Sequence, residues 1–436
     1  MTNFLEVMPK YAAYKKSTIE NIECIPQGWS VKSIRYAFKF LNSRRIPLSA
    51  SQREARKGEY PYYGASGIID YVDGYLFDES LILIAEDGAN LLSKSTPLAF
   101  VAEGRYWVNN HAHILRPNSF GFIYWAELLS SLDYTAFISG AAQPKLTRDR
   151  LGGVRIPVPP TDEITHIANF LNSKTAQINQ AISVKERQVN LLKEREQILI
   201  QRAVTRGLNP DAPMRDSGSE WIGEIPTHWG IMANRALFRE RVEPGKEELP
   251  LLSVSIHSGV SDEEMSEDEN IRGRVKIEDK TKYIRVRPGD IAFNMMRAWQ
   301  GAIGAVRVEG MVSPAYTIAV PCSRLDARFF EYQYRTPGFI QQMDRYSKGI
   351  TDFRKRLYWD GFKQLITLVP PVEEQRAIVE FIEQAMLKQE AAVALLEQQI
   401  TKLKEYKSTV INSAVTGKIK VPGVVEPTEI KEREIA

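Results

Sequence analysis

The chain has 436 residues, enough for two or three domains with sizeable cores. Hydrophobic residues at 43% and charged residues at 25% describe an ordinary soluble globular protein, and a net charge of +3 is too small to indicate a nucleic-acid partner by itself. Two cysteines, Cys24 and Cys322, exclude a disulfide framework and fit a reducing compartment. No apolar run reaches the roughly 18 residues needed to span a membrane. The opening "MTNFLEVMPKYAAYKK" lacks the apolar core of a signal peptide, so a cytoplasmic location is expected.

In chain order, residues 1–25 form an N-terminal segment, followed by a mixed α/β interval over 26–159. Strand-like runs in "GYLFDESLILIAEDGANLL" (74–92) alternate there with Gly, Asp and Asn, and "FIYWAELLSSLDY" (122–134) predicts a short helix. The triplet "VPP" at 158–160 ends that pattern and opens a long helix over 160–206, with no internal proline or glycine. A linker over 207–225 leads to a second mixed interval, 226–370. It contains "RVRPGDIAFNMMRAWQGAIGAV" (285–306), the helical "ARFFEYQYRT" (327–336), and an acidic run, "SDEEMSEDEN" (261–270), that predicts a solvated loop. A second "VPP" at 369–371 opens a second long helix over 371–416, and 417–436 is a C-terminal tail.

The chain repeats itself. Shifted by 211 residues, Glu163 falls on Glu374, Phe170 on Phe381, and "AVT" at 203–205 on "AVT" at 414–416. Shifted by 200, "STIENIECIPQGW" (17–29) matches "SGSEWIGEIPTHW" (217–229) at Ser17, Glu20, Ile22, Ile25, Pro26 and Trp29. Two blocks in the same order around unlike intervals indicate a duplicated gene.

Both helices carry a seven-residue repeat. In the first, Ile164, Leu171, Ile178, Leu192 and Leu199 share one row with Lys185, while Ile182 and Val189 share the other with Ala168, Thr175, Glu196 and Ala203. In the second, Ile382, Leu396, Leu403 and Val410 share a row with Gln375 and Gln389, and Val379, Val393 and Ile400 share one with Met386, Lys407 and Ala414. Nine of the twelve positions are apolar in each helix, the pattern of a coiled-coil seam. The equal lengths favour an antiparallel pair over two independent amphipathic helices, with Lys185, Glu196, Gln389 and Lys407 fixing register. The expected fold is therefore α/β (α+β): two mixed α/β domains separated by two long antiparallel coiled-coil helices, duplicated about a pseudo-two-fold.

Catalytic motifs are absent. There is no Walker-A loop, no Gly-rich nucleotide cradle, and no Asn-Pro-Pro-aromatic motif of adenine methyltransferases. "IEDK" (277–280) is too short a match to indicate a nuclease. The H-x-H pair His111 and His113 has no Cys cluster beside it and is better read as a strand with alternating histidines than as a metal site. No catalytic residue, metal ligand or cofactor is assigned, which favours a binder or organiser.

Candidate DNA contacts are basic and polar side chains among aromatics. The first interval offers Arg44 and Arg45, Tyr63 and Ser66 in "PYYGASG" (61–67), and Lys145 and Arg148 in "QPKLTRDR" (143–150). The second offers Arg272 and Arg274, then Asn294, Arg297 and Gln300 in "NMMRAWQG" (294–301), with Trp299 expected as a core anchor. It also offers Lys348, Arg354, Lys355 and Arg356 in "SKGITDFRKR" (347–356), the last three forming a compact cluster suited to phosphate. Residues 26–159 hold 15 Lys/Arg against 12 Asp/Glu, and 226–370 hold 22 against 19. Charge alone therefore does not separate DNA binding from a solvated surface.

The order of blocks resembles a type I restriction–modification specificity (S) subunit. The resemblance rests on "DSGSEWIGEIPTHW" (216–229), "YPYYGASGIIDYVDGY" (60–75), "AQPKLTRDRLGGVRIPVPP" (142–160), "GDIAFNMMRAWQGAIGAV" (289–306), "MVSPAY" (311–316) and "FRKRLYWDGFKQLITLVPPVEEQ" (353–375). The first copy departs from it with "PPTDEIT" where the second reads "PPVEEQR". The resemblance implies that 26–159 and 226–370 are target-recognition domains reading the halves of an asymmetric, split sequence in double-stranded DNA, with the paired helices as spacer. It implies two methyltransferase (M) subunits carrying S-adenosylmethionine, and restriction (R) subunits using ATP and Mg, while this chain is non-catalytic and binds no cofactor. The alternatives are a stand-alone DNA-modifying enzyme and a coiled-coil scaffold that does not bind DNA.

Overall fold

The computed structural model describes residues 8–140, 143–219, 221–262, 279–322, 325–349 and 355–426. Two compact units divide the chain: one comprises 1–185 and 398–436, the other 186–397. The long helices run Thr161–Arg206 (46 residues) and Val372–Val415 (44 residues). Each unit thus holds the start of one helix and the end of the other. No helix of the described residues is long and apolar enough to cross a membrane.

The first unit is organised by an antiparallel sheet in the order Phe38–Phe40, Ala112–Pro117, Leu81–Ala85, Ala99–Ala102. Leu81–Ala85 reads "LILIA" without alternation because both its faces are covered. Ile82 and Ile84 enter the core against the helix Phe122–Ser131, while Leu81 and Leu83 enter another with Phe77, Tyr106 and Ile114. A second sheet, ordered Gly67–Val72, Lys57–Gly64, Arg105–Val108, Phe77–Asp78, lies in the same unit.

The other unit repeats the first sheet with Phe238–Arg241, Tyr316–Pro321, Ile291–Asn294 and Ile303–Ala305, in the same order. Its central strand again divides its side chains: Ile291 and Phe293 face one core and Ala292 another. Equivalent edge-on ring pairs seat the helix on the sheet, Phe38 with Trp125 at 5.1 Å and Phe238 with Phe330 at 5.6 Å. The copies diverge between the first strand and the central strand. There the first has the helix Ala50–Ala55 and a hairpin of Lys57–Gly64 with Gly67–Val72, and the second has the strand pair Val254–Ser255 with Gly259–Val260 and the strand Ile284–Val286, which pairs with Gly310–Val312 from beyond the central strand.

Each long helix starts beside a proline and stops at a glycine. Pro160 and Pro371 supply the first acceptors, to Ile164 N and Gln375 N, and the acids Asp162, Glu163, Glu373 and Glu374 fill the positive first turns. Gly207 and Gly417 follow the ends with φ of +73°, the left-handed stop that a Cβ disfavours. A Cβ on Gly417 would lie 2.4 Å from Pro26 Cδ, and one on Gly207 3.3 Å from Trp229. The repeated Pro-x-x-Trp blocks are therefore the seats on which the helix ends rest.

All twelve seam positions of each helix are buried or half-buried. In the first unit Ile178, Ile182 and Ile400 form a cluster with Leu403 and Tyr406, and Asn179 meets Lys407 (3.0 Å) while Lys185 meets Gln399 (2.5 Å), which is an antiparallel register. In the second unit Gln389 donates to Glu196, and Ala203 and Val204 pack with Ile378, Val379 and Ile382. The polar seam residues Lys185, Glu196, Gln389 and Lys407 thus each bond across to the other helix. Leu171 is fully buried, so Leu171→Ala should cost about 2–5 kcal/mol in denaturant unfolding. Leu191, 54% exposed, should tolerate Ala within about 0.5 kcal/mol.

The first turn of the first helix carries a buried carboxylate. Glu163 Oε1 accepts the Tyr11 hydroxyl and the Trp29 indole N–H (2.9 Å), tying the N-terminal segment to the helix. Burial raises its pKa, and these two hydrogen bonds oppose the rise only in part. A folded-state pKa above the unfolded value makes ionised Glu163 a cost that sets in as pH rises through the shifted pKa. Glu163→Gln should therefore raise the melting temperature at pH 7, and the advantage should vanish below the ordinary carboxylate pKa.

Candidate nucleic-acid interface

The candidate surface lies at one end of each core sheet, where the loop after the central strand meets the segment leading to the last helical turn. In the first unit Leu146 N donates to Glu86 O (2.8 Å) and Glu86 N to His111 O (2.9 Å). In the second, Leu357 N donates to Met295 O (2.8 Å) and Met295 N to Ala315 O (3.2 Å). The same backbone junction thus carries unlike side chains: Glu86, Asp87 and His111 in one unit, Met295, Met296 and Arg297 in the other.

In the first unit the junction is a charged network. Arg45 is only 16% exposed at its side chain. It donates to Glu86 (2.6 Å), Ala112 O (2.8 Å), Asn42 O (3.1 Å) and Asn110 O (3.2 Å). Burial works against ionisation of Glu86, but the Arg45 hydrogen bond and nearby charges hold its pKa below the usual carboxylate range. His113 is buried and donates from Nε2 to Leu146 O (2.7 Å), leaving Nδ1 to accept from Asn42 Nδ2 (2.8 Å). Burial lowers its pKa, which suits the neutral ring those two bonds require. His111 faces Asp87 at 2.9 Å and is exposed. Among the described residues no group of three or more His, Cys, Asp or Glu is placed to hold a metal ion.

The predicted contacts are not equivalent in this setting. Arg44 lies over Phe77 (4.4 Å), pairs with Glu79 (3.1 Å) and donates to Leu76 O, so it is engaged in the fold, as Arg45 is. Tyr63 is half-buried against Phe100 and Tyr106. Ser66 is exposed at the hairpin turn; Lys145 is exposed 3.6 Å from Glu86, and Arg148 is exposed above Phe40 (5.5 Å). In the second unit Asn294 is 3% exposed and accepts the Met296 N–H (3.0 Å), so it shapes the turn instead of facing outward. Trp299, expected in the core, is half-exposed: its indole bonds Met296 O (3.0 Å) and Lys355 lies 5.3 Å over its ring. Arg297, Gln300, Lys348 and Arg356 are exposed, with Lys348 and Arg356 joined by paired backbone hydrogen bonds (2.9 Å). Lys355 pairs with Asp344 (2.8 Å). Arg272, Arg274 and Arg354 lie outside the described residues.

The structure therefore gathers Arg45, Lys145 and Arg148 in one unit and Arg297, Gln300, Lys355 and Arg356 in the other. Sequence reasoning missed Glu86, Asp87 and His111 as members, because their partners lie at least 24 residues away.

Comparison with known proteins gives a family to this arrangement. Residues 26–185 match the model of the "Type I restriction modification DNA specificity domain". Those residues therefore carry a type I restriction modification DNA specificity domain. A Haemophilus influenzae protein named as a type I restriction enzyme specificity subunit is 37% identical over 142 residues, 31% of this chain and 34% of that one. The specificity subunit of the Escherichia coli type I enzyme EcoDI is 20% identical over 189 residues, 43% of this chain and 40% of the other. The matches thus span well under two thirds of these relatives. Among solved structures, the HsdS subunit from Thermoanaerobacter tengcongensis superposes with a TM-score of 0.51 at 14% identity, covering 92% of this chain and all of that one. A chain from a study of type I complex assembly and conformational transition gives 0.61 at 12% identity, covering 91% and 99%. These likenesses place the specificity-subunit fold over nearly the whole chain.

The contrast between engaged and outward-facing arginines is measurable. Arg45→Ala leaves Glu86 short of its main partner in a largely buried place and should lower unfolding free energy by about 2–4 kcal/mol. Arg356→Ala should change it by no more than about 0.5 kcal/mol. Both are read by urea denaturation.

Proposed function

We propose that this chain is the DNA-recognition subunit of a type I restriction–modification complex. Residues 26–159 and 226–370 act as two recognition domains, each reading one half of an asymmetric, split target in double-stranded DNA. The two long helices set the unread interval between the halves, and the chain also docks two methyltransferase subunits and, through the complex, the restriction subunits. Methyl transfer, ATP hydrolysis and cleavage belong to those partners, together with S-adenosylmethionine, ATP and Mg; the chain itself is non-catalytic and works in the cytoplasm.

One observation carries the reading: the two units keep the same backbone junction but equip it with unlike side chains. A reader of two different half-sites needs a common scaffold for the common geometry of the duplex and different side chains for different bases. Half-site separation then follows from protein geometry, as it does in dimeric readers, but with both halves in one chain.

The test has two arms. The homogeneous protein alone, with labelled S-adenosylmethionine and DNA, should give neither methyl transfer nor cleavage; transfer without a partner overturns the reading. Co-expressed with its methyltransferase subunits, it should direct adenine methylation to a split motif with unlike halves. A single continuous or palindromic motif would be incompatible with two different recognition domains.

A further inference from the structure

The second unit contains a buried charge that its counterpart lacks. In the helix Ala327–Tyr334, Glu331 is 4% exposed. Its carboxylate accepts the Ala305 N–H (3.2 Å) and faces Arg335 (3.4 Å) and Arg307 (3.6 Å). Arg335 in turn donates to two successive carbonyls, Ile256 O (3.1 Å) and His257 O, at the turn between Val254–Ser255 and Gly259–Val260. The ring pairs of Trp125 and Phe330 align the two helices, and the residue after each is Ala126 in one copy and Glu331 in the other. The ion network is thus present in the copy that carries this hairpin. The other copy builds the interval differently and has a methyl group at that position.

Burying a carboxylate between two guanidinium groups is costly, and what this network does is hold the three-residue turn 256–258 still. The seat is close. Gly259 has φ of +70° and its Cβ would lie 2.4 Å from Glu331 Oε1, while a Cβ on Gly304 would lie 2.7 Å from Val260 N. Val254 and Val260 fill the core with Leu252, and Ile256 packs against it. At the turn Ser258 N and its hydroxyl bond Ser255 Oγ at 2.9 and 2.7 Å. His257 and Ser258 are left facing outward, and the His257 ring has no hydrogen-bond partner among the described residues. A reading group needs this kind of preorganisation, since a mobile donor loses its gain to ordering.

We propose that this hairpin is a base-reading element of the second unit, with Glu331 as its positioning residue and the His257 imidazole N–H donating to a purine N7 in the major groove. The inference rests on the DNA-recognition function proposed above. A two-stranded ribbon fits the major groove, where every purine presents N7 as an acceptor, and the tip offers an imidazole and no carboxylate.

The experiment uses the full chain assembled with its methyltransferase subunits and the duplex defined by methylation mapping. Each purine is replaced in turn by its 7-deaza analogue, which removes N7 and keeps base pairing. The wild-type complex should lose about five-fold in affinity at a position in one half-site, the value of one hydrogen bond. His257→Ala, a surface change, should show that loss on the unmodified duplex and no further loss on the 7-deaza duplex. Glu331→Gln should lose the same sensitivity while its salt dependence and its penalties in the other half-site stay wild-type. A wild-type complex with no 7-deaza-sensitive position in either half-site, or a His257→Ala complex that keeps the wild-type profile, overturns the proposal. If Glu331→Gln weakens binding to every duplex alike, the positioning role is wrong. A wild-type complex without any sequence preference would instead sink the DNA-recognition reading itself.

Discussion

The interaction on which the rest of the structure depends is the docking of a helix end onto a Pro-x-x-Trp seat. In one unit Gly417 lets the end of the second helix press on Pro26 and Trp29, and Ala414, Val415, Ile419 and Val421 enter the core beside Ile164, Ile167 and Leu171. In the other, Gly207 does the same at Pro226 and Trp229, and Ala203 and Val204 join Ile378, Val379 and Ile382. Each core is therefore finished by residues that arrive from the far side of a 44- or 46-residue helix. Removing either helix end would expose apolar area in the unit it completes, at about 25 cal/mol per Å². The duplication of "AVT" after each seam follows from this, because each copy fills an equivalent place.

The two seats are not identical in chemistry. Trp29 finds Glu163 as an acceptor and Tyr11 joins the same oxygen. Trp229 is buried with no hydrogen-bond partner among the described residues, while Glu374 turns to His228 (2.8 Å), a position held by Gly28 in the first copy. The carboxylate thus bonds the imidazole in one copy and the indole in the other. The two copies share the packing, which is unforgiving of volume, and differ in the polar partners, since a carboxylate can accept from more than one kind of donor.

The same division governs the candidate interface. Backbone hydrogen bonds from Leu146 to Glu86 and from Leu357 to Met295 hold the two junctions alike, and the side chains mounted there differ. Two arginines that read as DNA contacts in a linear sequence are occupied: Arg44 with Glu79 and Phe77, Arg45 with Glu86 and three carbonyls. An arginine has five donors and an extended apolar stem, so a nearby carboxylate and ring readily turn it into a structural residue.

The sequence by itself determined the duplication, the two long helices with their antiparallel seam, the mixed composition of the intervals, and the resemblance to specificity subunits. Each of these is written in periodicity or in short ordered blocks: a seven-residue repeat, "VPP" starts, a buried "LILIA" strand. Even the polar seam residues could be assigned to register, because an antiparallel pair confronts them with each other. Only the tertiary structure decided which polar side chains face outward. Arg45 and the Trp299 ring meet partners from distant segments, Glu86 and Lys355, and Glu86, Asp87 and Glu331 meet Arg45, His111 and the Ala305 N–H at separations of 41, 24 and 26 residues. Periodicity reports a residue's face on its own element. Whether a charge there is spent inside the fold depends on what another element brings within 3 Å of it, and no local pattern encodes that distance.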